Sequence, residues 1–132
     1  MFGTYTHKII LCARDTTVAK ADLVYMNYPF PFYYLFFLKV EKEYRSLGYG
    51  SFLIENVNHF LSSRGKMGIL RNIIDPQSAV CSIYEKHSWM RFTNESPWFL
   101  YNKYKKLDNN DIRKAIHAIK ILEEEAKFYF TD

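Results

Sequence analysis

Residues that would staple, break or anchor this chain are scarce. Only two cysteines occur in 132 residues, Cys12 and Cys81. Neither has a Cys or His partner at metal-ligand spacing, and His7, His59, His87 and His117 are scattered, so no metal site is expected. Two isolated thiols fit a reducing compartment, and the cytoplasm is the expected location. The longest uninterrupted apolar run, residues 29–38, falls well short of the ~20 residues that span a bilayer. No charged stretch leads into an apolar one after Met1, so neither a leader peptide nor a membrane partner is expected. With five glycines and four prolines there are no low-complexity linkers, and no repeats are visible. Length and composition give one domain over residues 1–132.

What is plentiful is apolar and aromatic. Hydrophobic residues make up 48% of the chain, enough for a folded core. Eleven Phe and eleven Tyr are spread along the whole length, which favours a compositional bias over an aromatic binding surface. The net charge of +4 is mild. It favours an anionic cofactor by steering. The densest basic group, Lys103, Lys105 and Lys106, reads as a solvated loop, so no nucleic-acid partner is expected.

The apolar pattern predicts strands over residues 9–13 and 18–26, joined by the polar turn 14–17 as a hairpin. Residues 27–31 form a proline-bearing connection. Residues 33–40 make a nearly continuous β-type run, as in a central strand buried on both faces. After Gly48 a helical period sets Leu53, Ile54, Val57, Phe60 and Leu61 on one side and Glu55, Asn56, Asn58, His59 and Ser62 on the other. Gly65 is its C-cap. A strand over 67–74 is broken by Asp75-Pro76, and a helix follows to about residue 87. Strands over 90–92 and 98–104 come next. A last helix, residues 108–128, has Asn109 and Asn110 as capping candidates. Its apolar stripe is Ile112, Ala115, Ile116, Ile119, Leu122 and Ala126.

The most informative segment is 40–53, where a strand passes through Arg45-Ser46-Leu47-Gly48-Tyr49-Gly50-Ser51 into a helix. Glycines let backbone N–H groups approach a ligand, and a helix start adds unpaired N–H groups and partial positive charge. No carboxylate lies between Arg45 and Ser51 to cancel it. This reads as a diphosphate-binding turn. It is not a P-loop, because Gly50 is followed by Ser51 and Phe52. It is not a dinucleotide fingerprint, because Leu53 stands where a third glycine or alanine belongs.

The remaining pattern, Arg45-x-x-Gly48-x-Gly50, resembles the coenzyme A pyrophosphate motif of the GNAT acetyltransferase superfamily. Downstream, Ile83-Tyr84-Glu85-Lys86-His87-Ser88-Trp89 is similar to that family's Leu-Tyr-Glu-Lys-x-Gly-Phe segment. The resemblance spans residues 8–105. It implies an α/β (α+β) fold with a mixed, mostly antiparallel central sheet flanked by helices. The core would be residues 7–105, with an extra C-terminal helix over 108–128.

The resemblance also implies direct transfer of an acetyl group from acetyl-CoA to a primary amine, without a covalent enzyme intermediate. Residue by residue, Arg45, Leu47, Gly48, Tyr49, Gly50 and Ser51 would hold the pyrophosphate. The backbone of Leu38, Lys39 and Val40 would pair with the pantetheine arm and polarise the thioester carbonyl. Tyr84 would be the general acid that protonates the departing thiolate. Gln77 stands where the family commonly has Asn. Ser88-Trp89 replaces Gly-Phe, and Val80 replaces Ala. The general base is open among Asp22, Glu41, Glu43, Asp75 and Glu95, a water relay, or an amine already neutral. The acceptor is equally open: a polyamine-like molecule, an amino acid or a protein amine.

The strand and two helices that usually open the family's fold have no counterpart ahead of His7. The long C-terminal helix is therefore expected to cover apolar surface, within one chain or across a homodimer. The alternative to an enzyme is a non-catalytic acyl-CoA-binding or protein-interaction module on the same fold.

Overall fold

The computed structural model describes residues 5–72, 79–93, 96–102 and 108–131. Two long strands, β1 (Tyr5–Ala13) and β2 (Thr16–Met26), open the chain as an antiparallel hairpin. Its two-residue turn places Arg14 at φ +58°, the left-handed setting that tight hairpin turns demand at their first position. β3 (Phe32–Val40) returns antiparallel to β2. A short 3₁₀ turn, Lys42–Tyr44, then leads to α1 (Tyr49–Arg64). Gly65 ends α1 at φ +63° as the expected C-cap, its N–H bonding back to the last turn.

β4 (Met67–Arg71), α2 (Ala79–Lys86), β5 (Met90–Arg91), β6 (Trp98–Tyr101) and α3 (Asn109–Thr131) follow. The strands form one sheet in the order β1-β2-β3-β4-β6-β5. Among the described strands, only β3 and β4 pair in parallel, as a crossover through α1 requires. The fold is thus the mixed, mostly antiparallel sheet flanked by helices that the sequence implied. The expected strands over 67–74 and 98–104 are shorter than predicted. β4 ends at Arg71 and β6 at Tyr101; residues 73, 74, 103 and 104 lie outside the described ones.

Each face of the sheet has its own core. On one face Leu53, Ile54, Val57 and Leu61 of α1 pack with Tyr84 and Trp89 on Ala21, Leu23, Tyr33, Leu35, Leu70 and Phe99. Gly68 permits this packing. A Cβ there would lie 2.6 Å from Leu61 Cδ1 and 2.8 Å from Trp89 Cη2, inside contact distance. On the other face Ala115, Ala118, Ile119 and Leu122 of α3 cover Val24, Met26, Phe32, Ile69, Trp98 and Leu100.

The buried positions correct the predicted stripe of α3. Ile116 is 43% exposed, and Ala118 is buried in its stead. Positions 115, 118, 119 and 122 are one i, i+3, i+4, i+7 face, and two alanines on it let the helix sit close to the sheet. Ala126 lies outside the described side chains. The cap also shifts from Asn109 and Asn110 to Asp108. Asp108 Oδ1 accepts from the Asp111 N–H at 2.8 Å, and the Asp108 N–H reaches Asp111 Oδ2 at 3.4 Å, a reciprocal capping box. The two large side chains of α3 so buried contribute roughly 3–6 kcal/mol at the usual value per apolar side chain.

Candidate active site

The two parallel strands part company halfway. β3 and β4 are in register from Phe32↔Met67 to Leu35↔Leu70 and no further. β3 continues beside β2 to Val40↔Ala19. A bulge marks the divergence: Asp22 pairs Phe37 and Leu23 pairs Leu35, so Phe36 is the extra residue on β3. Residues 36–40 therefore have a strand on one side and a gap on the other. The gap is a cleft of about 780 Å³, large enough for a small-molecule ligand.

One mouth of the cleft is the start of α1. Gly48, at φ +87°, turns the chain into the helix in a conformation that only glycine adopts freely, and no side chain caps the end. The first intrahelical bond runs from the Phe52 N–H to the Gly48 carbonyl at 3.1 Å. The N–H groups of Tyr49, Gly50 and Ser51 precede it and have no intrahelical acceptor. No acid occupies the first turn. Gly50 sits between Ile83 and Val40: an added Cβ would lie 3.7 Å from Ile83 Cδ1 and 3.9 Å from Val40 Cγ2, within the cleft wall. Arg45 Nε donates to the Val40 carbonyl at 3.0 Å, tying the turn back to the end of β3 with one of five guanidinium N–H groups.

Tyr84, 6% exposed, forms part of the wall. Its ring packs against Phe99 at 5.3 Å and Trp89 at 6.5 Å between centroids. The turn beyond α2, which lacks the expected glycine, is made by Ser88 at φ +74°. Asn58 of α1 braces it. Its Oδ1 accepts from Trp89 Nε1 and its Nδ2 donates to the His87 carbonyl, both at 2.7 Å. Asn58 had been placed on the polar face of α1, and nothing in the sequence signals this role.

Of the expected site residues, Leu38, Lys39, Val40, Arg45, Gly48, Gly50, Ser51 and Tyr84 all border the cleft. Leu47 does not; it is 67% exposed. Tyr49 turns its ring away onto Tyr44, 5.9 Å between centroids, so only its backbone faces the helix start. Gln77 lies outside the described residues. The sequence reading missed Tyr34, Phe36, Arg71, Asn72 and Ile83, which also line the cleft. Their place depends on where β4 ends and α2 packs.

No carboxylate borders the cleft among the described residues. Asp22 is buried on β2, one strand from the gap, with Oδ1 enclosed and lacking a hydrogen-bond partner. Glu41 pairs with Lys39 at 3.8 Å on the surface, a weak contact in solvent. Asp75 and Glu95 lie outside the described residues. Burial pushes the Tyr34 hydroxyl pKa up, partly opposed by the nearby Arg71 charge.

This arrangement of sheet, gap and helix start is the fold of the GNAT acetyltransferase superfamily. Solved structures at similar distance include an acetyltransferase of the GNAT family from Staphylococcus aureus Mu50 (TM-score 0.59, 14% identity, 74% of this chain and 68% of that one). PaiA N-acetyltransferase from Thermoplasma acidophilum in complex with coenzyme A also matches (0.59, 16%, 74% and 60%). So does AtaTR bound with acetyl-CoA (0.61, 14%, 75% and 68%); an AtaT–AtaR complex bound to DNA matches at 0.60. No protein-family model and no curated protein matches the sequence. At these identities the likeness establishes the fold. Among the described residues, no helix is long and apolar enough to cross a membrane.

Proposed function

We propose that this chain is an acyltransferase that binds acetyl-CoA in the gap between β3 and β4 and transfers its acetyl group to a primary amine. One observation carries the reading: parallel strands that part at Leu35 and Leu70, with an uncapped, acid-free helix start at the opening. Few ligands suit both parts. A pyrophosphate fits the free N–H groups of Tyr49, Gly50 and Ser51, assisted by Arg45. An extended amide-bearing arm fits the edge of β3 at residues 38–40, which β4 no longer pairs and where Arg45 takes the Val40 carbonyl.

In the proposed reaction the neutral amine attacks the thioester carbonyl carbon from the far side of the gap. A C–N bond forms and charge gathers on the carbonyl oxygen. The β3 amides are placed to stabilise that charge. The C–S bond then breaks. The leaving thiolate takes a proton from the Tyr84 hydroxyl, and the amide nitrogen loses one to water. Tyr84 is reprotonated from solvent. A phenol with an ordinary pKa of about 10 is protonated at neutral pH and able to donate. With no carboxylate bordering the described cleft, water is the assigned proton acceptor.

Calorimetric titration of acetyl-CoA tests the reading, with Gly50→Glu as the variant. The expected result is binding to the natural protein and at least tenfold weaker binding to Gly50→Glu, since a carboxylate would enter the cleft between Val40 and Ile83. Equal affinities would sink the pyrophosphate assignment. Tight binding with no turnover on a broad amine panel would favour the acyl-CoA-binding module instead.

A further inference from the structure

The cleft is lined by residues of both faces of the sheet, and the two sides differ chemically. Val40, Gly50, Ile83 and Tyr84 belong to the side covered by α1 and α2. Arg71 belongs to the other. Along β4, Leu70 packs in the α1 core and Ile69 in the α3 core, so strand alternation sends Arg71 to the α3 side. Its guanidinium accordingly lies over the Trp98 ring, 5.8 Å from the centroid, and Trp98 belongs to the α3-side core. The phosphate cradle is thus on one face and the Arg71 cation on the opposite one.

That second side is aromatic. Tyr34 stacks at 6.4 Å from Trp98 and 6.3 Å from Phe36. Among the described residues, the other cations around the cleft are not placed as Arg71 is. Lys39 has Glu41 beside it, Lys20 lies over the Phe37 ring at 5.2 Å on the neighbouring strand, and Arg45 is held by Val40 at the first mouth. Among the described residues, Arg71 alone combines a place in the cleft wall with an aromatic support. Its charge is felt inside, where it acts on the Tyr34 hydroxyl.

We propose that Arg71 sets the acceptor specificity: the amine acetylated here carries an anionic group, carboxylate or phosphate, within a few bonds of its nitrogen. The inference rests on the acyl-transfer reading above and names its substrate class. An amine entering from the α3 side meets the guanidinium before it reaches the thioester. A free polyamine is repelled there, whereas an anion beside the amine is gripped by a planar donor fork backed by Trp98. That grip also orients the nitrogen toward the gap.

The test is a matched series with the full-length protein: phenylalanine, phenylalaninamide and phenethylamine, then O-phosphoethanolamine against ethanolamine, with spermidine as the cationic extreme. Thiol release gives kcat/KM for the natural protein, Arg71→Gln and Arg71→Lys. Calorimetry gives acetyl-CoA affinity for each. In the natural protein the anion-bearing member of a pair is expected to lead by roughly tenfold or more, the usual worth of a charge-assisted hydrogen bond. Arg71→Gln should abolish that lead, Arg71→Lys should restore part of it, and acetyl-CoA affinity should stay unchanged. Which pair shows the larger lead separates carboxylate from phosphate. Spermidine or the neutral members leading, the preference surviving in Arg71→Gln, or no member being acetylated by a protein that binds acetyl-CoA would each overturn the proposal. Failure to bind acetyl-CoA at all would instead overturn the acyl-transfer reading on which it stands.

Discussion

Tyr84 and Ser88 lie four residues apart and do different work. Tyr84 is held in the cleft wall by Phe99 and Trp89, so replacing it with Phe keeps the packing and removes only the hydroxyl. If it protonates the leaving thiolate, Tyr84→Phe lowers kcat by roughly 10²-fold with little change in acetyl-CoA affinity. Single-turnover rates check this free of product release. Ser88 occupies a left-handed conformation that costs a residue with a Cβ about 1–2 kcal/mol. Ser88→Gly relieves that cost but enlarges the freedom of the unfolded chain. A net gain of about 0.5–1 kcal/mol in denaturant unfolding is expected, and a loss would show that the serine hydroxyl matters to the turn.

Among the elements, β4 is the most constrained. It is short, pairs on both sides, and is crossed on one face by Leu61 and Trp89 where Gly68 leaves room. Gly68→Ala forces a methyl group to within 2.6 Å of Leu61 Cδ1 and 2.8 Å of Trp89. Trp89 is fastened to Asn58 and has little freedom to yield. The expected cost is about 1–3 kcal/mol of stability, the usual range for overpacking a core. Displacing α1 from the sheet would also move its N-terminus, so if acetyl-CoA binds there as proposed, its affinity should fall alongside the melting temperature. Unchanged unfolding in Gly68→Ala would mean that the helix shifts without penalty.

At the scale of the whole molecule, α3 decides whether the second face of the sheet is dry. It packs on Val24, Met26, Phe32, Ile69, Trp98 and Leu100 within the same chain. Covering that face therefore does not require a second copy. Removing residues 108–132 uncovers these six side chains, and the truncated chain is expected to aggregate or unfold. A truncation that remains monodisperse by light scattering, with unchanged heat stability, would show that the helix is dispensable. Trp98 belongs to this face and lies under the Arg71 guanidinium, so if Arg71 holds the acceptor as proposed, partial loss of α3 packing should also perturb acceptor binding.

Local sequence determined the parts of the site that depend on neighbours in the chain. Gly48 makes its turn locally, and α1 begins where its period begins, so the glycine turn and the uncapped helix start were legible. Gly65 was legible as a cap for the same reason. The run over 33–40 was legible as a strand, but it is buried only as far as Leu35, because beyond that point β4 no longer pairs with it, and the Phe36 bulge is defined only against a partner strand. The missed roles of Ile116, Asn58 and Arg71, unlike the Asp108 cap of α3, depend on contacts distant in sequence. Ile116 looked like a core residue until the docking of α3 chose the phase that buries Ala118. Asn58 looked like a surface residue until the turn after α2 came to rest against it. Arg71 lay inside the expected strand over 67–74, with nothing local to mark it. Its meaning arises only where β4 stops short of β3, opening a gap lined by residues of both faces of the sheet. Glycine turns and the helical period are local, written in the sequence. The sidedness of a cleft is a property of how the elements pack, and only the tertiary structure decides it.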